Sequence, residues 1–185
     1  IVDNKKGVHQ GMRHLIHIHG LRRIAFIQGP KSSDESTLRF EAYKEILEES
    51  GIPLDMSLIE RGNFRTESGS KALKAILKRC SDVEAVVAAN DYMALGAFEE
   101  ARKQNIIIPG DLAILGFDDI NEAKLSRVPL TTIRQPIYQQ AIAAVELLWD
   151  MIVNNKQGQD IMLPTELIIR RTCGCFPDTI VNARI

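Results

Sequence analysis

The sequence predicts an α/β fold, a doubly wound parallel sheet with helices on both faces, and three observations predict it. Short apolar runs suited to buried strands alternate with stretches of helical hydrophobic spacing. The runs Ile24–Ile27, Ala85–Ala88 and Leu112–Leu115 are apolar at every position, which suits strands buried on both faces. Glycine, proline or a capping residue marks nearly every change of period. Hydrophobic residues make up 45% and charged residues 25% of the 185, so the chain can fill such a core and lies outside the disordered class.

Taken in order, Val8, Met12, Leu15 and Ile16 follow helical spacing, and Gly20 sits where a C-terminal cap belongs. Arg23–Gln28 is a short strand ended by Gly29-Pro30. Phe40, Tyr43, Ile46 and Leu47 mark a second helix closed by Gly51, and Ser57–Glu60 a second strand closed by Gly62-Asn63. Ala72, Leu73, Ile76 and Leu77 share one face of a third helix, which leads to the strand Ala85–Ala88. Asn90-Asp91 is a helix-starting pair for a helix from Tyr92 to about Gln104, followed by the strand Leu112–Gly116. Right-handed crossovers between such strands place helices on both faces of a parallel sheet. From Leu130 the alternation breaks. Leu130–Ile133 is β-rich, Pro136 opens a long helix to about Asn154, Asn154–Gln159 is a polar linker-like stretch, and Ile161–Arg170 is strand-like.

Charge and cysteine usage narrow the function classes. With 23 Lys+Arg against 24 Asp+Glu, the formal charge of −1 projects no overall field toward nucleic acid or an anionic membrane. The most hydrophobic stretch, Leu130 to Val153, is interrupted by Arg134, Glu146 and Asp150, which is unsuited to a spanning helix. Three cysteines, Cys80, Cys173 and Cys175, are too few to staple a fold of this size, so a reducing compartment and a cytoplasmic location are expected. The chain opens at Ile1 without the basic and apolar regions of a signal peptide, and it is expected to be a fragment lacking its upstream part.

Motifs for catalysis are not found. The sequence has no phosphate loop of the Gly-rich Lys-Ser/Thr type, no dinucleotide fingerprint, no nucleophile elbow and no His-Glu-x-x-His, so an enzyme reading has nothing to stand on. No cofactor is expected. His14, His17 and His19 with Cys173-Gly174-Cys175 invite a metal reading, but on an α-helix His14 and His17 share a face while His19 points elsewhere. That set makes a poor tetrahedral cage, so no metal is expected. Imidazoles near a helix C-terminus have an electrostatic use of their own.

In a doubly wound sheet, ligands gather beyond the carboxyl ends of the strands. Asn90, Asp91, Asp118 and Asp119 fall there, with Arg39 on the helix after the Gly29 loop and Phe64 just past a strand end. Carboxylate, amide and guanidinium groups each present two coplanar hydrogen-bonding atoms, which suits a ligand with vicinal hydroxyls. Each residue also has a purely structural use. Asn90 and Asp91 are good helix caps, Asp118 and Asp119 suit a turn, Arg39 suits a solvated helix face, and Phe64 suits the edge of a core.

The motifs that carry these residues resemble one family. His14-Leu15-Ile16, Gly20–Pro30, Arg39–Tyr43, Ala89–Ala97, Ile114–Ile120 and Pro129–Pro136 resemble the effector-binding domain of the LacI/GalR family in order and spacing. The resemblance implies a periplasmic-binding-protein-like fold of type I, with two α/β subdomains and a ligand cleft between them. It implies ligand contacts from Arg39, Asn90 and Asp118, an aromatic wall from Phe64 and a polar contact from Gln135. The family more often has Gly in place of Ala42 and often Trp or Tyr in place of Phe64. Residues 1–134 are then the C-terminal effector-binding subdomain, 135–160 a helix returning to a largely missing N-terminal subdomain, 161–175 the closing strand, and 176–185 a tail or the start of a linker. On that topology Ala141, Val145, Leu148, Trp149 and Ile152 form an apolar stripe with no surface to cover within this chain. The implied partners are a sugar-like small-molecule effector, operator DNA bound through a domain absent from this fragment, and a second copy in a homodimer, with no membrane. The Cys-Gly-Cys stretch resembles relatives whose sensor precedes a C-terminal output module, and a periplasmic transport receptor shares the same fold; these are the alternatives to a transcriptional regulator.

Overall fold

The computed structural model describes residues 1–175, so the tail expected over 176–185 lies outside the described residues. Helix α1 (Asn4–Arg13) starts at Asp3, whose carboxylate accepts the Lys6 N–H at 2.9 Å, and it runs on into a single π-helical turn, His14–Ile18. There follow β1 (Ile24–Gln28), α2 (Asp34–Glu49), β2 (Ile59–Arg61), α3 (Thr66–Arg79), β3 (Ala85–Ala88), α4 (Asp91–Lys103), β4 (Ala113–Asp118), α5 (Asn121–Leu125), β5 (Thr131–Arg134), α6 (Ile137–Val153) and β6 (Glu166–Ile168).

The strands form one six-stranded sheet in the order β2-β1-β3-β4-β5-β6. Neighbours from β2 to β5 pair in parallel, as the apolar runs require, with Phe26 opposite both Ile59 and Val87 and Leu115 opposite both Val87 and Thr131. The edge strand differs from the parallel expectation, because β6 runs antiparallel to β5 with Ile133 opposite Leu167. The strand-like run Ile161–Arg170 also yields only the three residues of β6. Pro164 has no N–H to offer a ladder, and the chain before it makes only an isolated bridge, Leu163 to Val2. The second strand starts later than expected for a similarly local reason. The Asp55 carboxylate accepts the Ser57 N–H and hydroxyl at 2.9 and 2.6 Å, which turns Met56–Leu58 into a 3-10 turn.

Helices α1 and α2 pack together, as do α3 and α4, and right-handed crossovers set the two pairs on opposite faces. The α3–α4 approach depends on two glycines. Gly69 lies against the Met93 carbonyl and Gly96 against the Thr66 carbonyl, so closely that a Cβ at either would collide with backbone. The core runs through both layers, with Phe26, Ile27, Tyr43, Leu73, Ile114 and Leu115 at or near zero exposure. Helix α6 stands apart. None of its residues is buried, and Ala141, Val145, Leu148, Trp149 and Ile152 are all exposed. Among the described residues no helix is long and apolar enough to cross a membrane.

Candidate functional site

Strand β1 has β2 on one side and β3 on the other, so the connections leaving β1 and β3 diverge and a crevice opens at their carboxyl ends. A cavity of about 470 Å³ lies there, lined by Ser33, Glu35, Arg39, Phe64, Asn90, Tyr92, Asp118 and Gln135. The five residues singled out from the resemblance, Arg39, Phe64, Asn90, Asp118 and Gln135, therefore border one space. Ser33, Glu35 and Tyr92 join them without having been singled out. Glu35 sits one helical turn before Arg39, and Tyr92 follows the Asn90-Asp91 pair, so spacing could have suggested both.

Arg39 is the most constrained group. It is 4% exposed, with Nε donating to Asn4 Oδ1 at 2.8 Å and Nη1 donating to the Ala89 carbonyl at 2.6 Å. Its guanidinium carbon lies 3.6 Å from the centre of the Phe117 ring, a cation–π contact that fixes the plane of the group. Burial lowers its pKa to about 10, so it stays charged at neutral pH. Asp118 Oδ1 stands 3.8 Å from Arg39 Nη1 and accepts a hydrogen bond from Gln135 Nε2 at 2.6 Å. Burial raises the Asp118 carboxyl above its ordinary value, against the opposing pull of Arg39 and Gln135.

Backbone strain gathers at the cavity rim and just behind it. Phe64, Asp118 and Asp119 have φ of 66, 126 and 62°, in the region that L side chains seldom adopt. Such residues persist where the surroundings over-determine them, as at ligand sites. The Phe64 ring lies against Gly29, and the Phe64 carbonyl accepts Asn90 Nδ2 at 3.1 Å. Asn90 Oδ1 caps α4 by accepting the Met93 N–H at 3.0 Å. Asn90 thus borders the cavity while already acting as a cap.

The other two strand-end carboxylates are structural. Asp91 is fully buried, accepts the Thr132 hydroxyl at 2.5 Å and the Ile120 N–H at 3.0 Å, and so ties α4 to β5 and the start of α5. Burial pushes its carboxyl up to about 6. Asp119 accepts from Arg170 at 2.5 Å and from Arg134 at 2.7 Å behind the cavity. Burial alone would raise its pKa, but these two guanidinium contacts hold it below its ordinary value.

At the other end of α1 the structure corrects the reading of the histidines. His17 is exposed, whereas His14 Nε2 and His19 Nε2 lie 3.2 Å apart. The π-helical turn carries more residues per turn than an α-helix, so positions five apart meet where α-helical spacing would separate them.

Residues 12–173 match the family described as the periplasmic binding protein-like domain. The HTH-type transcriptional repressor CytR of Escherichia coli strain K12 is 35% identical over 181 residues, which cover 95% of this chain and 52% of the repressor. The HTH-type transcriptional regulator CelR of Thermobifida fusca is 34% identical over 172 residues, covering 92% of this chain and 50% of the regulator. Among solved structures, a complex of the transcriptional regulator CelR with cellobiose superposes with a TM-score of 0.89 at 34% identity, over 92% of this chain and 52% of that one. A dimeric Lac repressor with a C-terminal deletion superposes with a TM-score of 0.86 at 28% identity, over 93% of this chain and 62% of that one. The chain spans about half the length of the curated relatives it matches. It belongs to the periplasmic binding protein-like domain family, and the relatives it is similar to are transcriptional regulators.

Proposed function

We propose that this chain is the effector-sensing part of a LacI-type transcriptional regulator, and that it binds a saccharide in the cavity beyond the carboxyl ends of the sheet. The observation that carries this reading is the convergence of Arg39, Phe64, Asn90, Asp118 and Gln135, from five separate connections, on one space. Arg39 offers donors in a fixed plane and Asp118 an acceptor beside it, which matches adjacent hydroxyls. Phe64 offers a ring for the apolar face of a sugar. The fold it shares with a regulator bound to cellobiose supports a saccharide as the effector.

Residues 1–134 form one wall of the cleft, 135–160 carry α6 across to a first subdomain, and 161–175 return to close the sheet. The bare apolar face of α6 supports this division, since Trp149 is 64% exposed on the described chain. Monomers seldom leave a broad apolar face in water. An effector held between the walls shifts the balance between two arrangements by its differential affinity for them. That shift reaches operator DNA through a separate DNA-binding domain in a cytoplasmic homodimer. We read the site as one for binding rather than catalysis, in keeping with relatives that are transcriptional regulators.

A thermal-shift screen of the full-length protein against mono- and disaccharides tests the reading. A saccharide at a hundred times its dissociation constant should stabilise the fold by about 2.7 kcal/mol. If no saccharide raises the transition while a nucleobase or nucleoside does, the sugar assignment is wrong.

A further inference from the structure

The geometry points to a four-coordinate transition-metal site of the zinc class, held by His14, His19, Cys173 and Cys175 at the end of the sheet opposite the cavity. The ligand atoms of these four residues all lie within 4.8 Å of one another. His14 Nε2, His19 Nε2 and Cys175 Sγ form a nearly equilateral triangle with sides of 3.2, 3.4 and 3.4 Å. A regular tetrahedron built on zinc bond lengths has N–N edges of about 3.3 Å and N–S edges of about 3.6 Å. Three of the four ligands therefore already stand at coordination spacing, and two sulfurs with two imidazoles are the donor set that tetrahedral zinc takes.

Protons alone serve this triangle poorly. A neutral imidazole Nε2 carries either a hydrogen or a lone pair, so either both imidazoles carry hydrogen and two N–H groups face each other, or one accepts and two hydrogens remain for three mutual contacts. A metal ion at the centre would be met by a lone pair from every corner. Both thiols would release their protons to solvent on binding, leaving two thiolates and two neutral imidazoles around a divalent ion of matching charge.

Chain geometry holds the donors in place without the ion. The π-helical turn brings His14 beside His19. Gly174 takes φ 100° between the two cysteines and packs against the His19 ring, so both sulfurs sit on one side of a tight turn. Thr172 stitches that turn to the sheet, its backbone carbonyl accepting the Ile114 N–H at 2.9 Å and its hydroxyl the Thr131 N–H at 2.8 Å. The Thr131 hydroxyl donates to Cys173 Sγ at 3.2 Å, the outer contact that a metal-bound thiolate accepts. The three cysteines are unpaired with one another, and a bridge across Cys-x-Cys would be strained. The ion would clamp the chain after β6 onto the end of α1, far from the effector cavity, so the role is structural.

Co²⁺ titration of the full-length protein, stripped with a chelator and reduced by a non-thiol reductant, tests the site. Co²⁺ should add ligand-field bands of a tetrahedral ion together with thiolate charge-transfer absorption, saturate at one ion per chain, and give way to Zn²⁺. Cys175→Ser and His19→Gln should each weaken Co²⁺ binding more than tenfold, and Cys175→Ser should also lower the thiolate charge-transfer intensity, while His17→Gln leaves affinity and spectrum unchanged. Thr131→Val should leave the stoichiometry intact and loosen binding. If the wild-type protein gives no thiolate–Co²⁺ band, or if Cys175→Ser and His19→Gln bind Co²⁺ as tightly as the wild type, the site does not exist. The wild-type titration decides the matter even where a variant fails to fold.

Discussion

Helices α2 and α6 have 16 and 17 residues, and α6 is the richer in apolar side chains, yet α2 buries Arg39, Ala42, Tyr43, Ile46 and Leu47 while α6 buries nothing. Helical spacing and helix-forming residues suffice to make a helix, but burial needs an opposing surface. Helix α2 has one in β1 and α1, whereas α6 leaves the sheet at Pro136 and meets none of comparable extent. A polar residue such as Arg39 can therefore be more deeply buried than a tryptophan in the same chain. What decides is whether partners are supplied for it, here Asn4, the Ala89 carbonyl and the Phe117 ring.

Substitution costs most on the buried helix. Tyr43 is 1% exposed, lies tilted against Phe26 with ring centres 5.0 Å apart, and donates its hydroxyl to the Ile24 carbonyl at 2.8 Å. Tyr43→Ala should cost about 3–5 kcal/mol in denaturant unfolding. A loss below 1 kcal/mol would mean that α2 is not the anchored partner in this contrast.

The next effect is a pH dependence. Burial pushes the Asp91 carboxyl up from an ordinary 3.8 to about 6, so the native state favours the protonated form. Its contribution to stability is fullest below the ordinary value and is lost as pH rises through about 6. That loss is on the order of 3 kcal/mol. Asp91→Asn should flatten this part of the stability–pH curve relative to the wild type, and an unchanged slope would place the titration elsewhere.

The smallest effect is the most telling about α6. Leu148 is exposed on the described chain, so Leu148→Ala in this 185-residue chain should change stability by less than about 0.5 kcal/mol. In the full-length protein the same substitution should cost about 2–5 kcal/mol if a first subdomain covers the helix. Equal small costs in both would contradict that placement.

The sheet was legible because its strands are apolar throughout, and the order of elements followed from the alternation of periods. What escaped was set by single groups. Asp55 competes for the Ser57 N–H and delays β2, Pro164 ends a ladder, and α5 is too short to show a period. Five cavity residues were legible through motif resemblance, but their division of labour was not. Asn90, Asp91, Asp118 and Asp119 look alike at strand ends, and only their partners reveal that Asp118 faces the cavity while Asp91 and Asp119 are consumed by the fold. The meeting of His14 with His19 was hidden because it depends on a π-helical turn that α-helical spacing does not anticipate.

We propose that Asp118, beside Arg39, binds the effector without holding the fold together. Calorimetric titration of the full-length wild-type and Asp118→Asn proteins with the saccharide found by screening tests it most directly. The substitution keeps shape and one acceptor while removing the charge, so affinity should fall by about 1.5–3 kcal/mol, with the unfolding transition nearly unchanged. Equal affinity in the two proteins would contradict the assignment of the site.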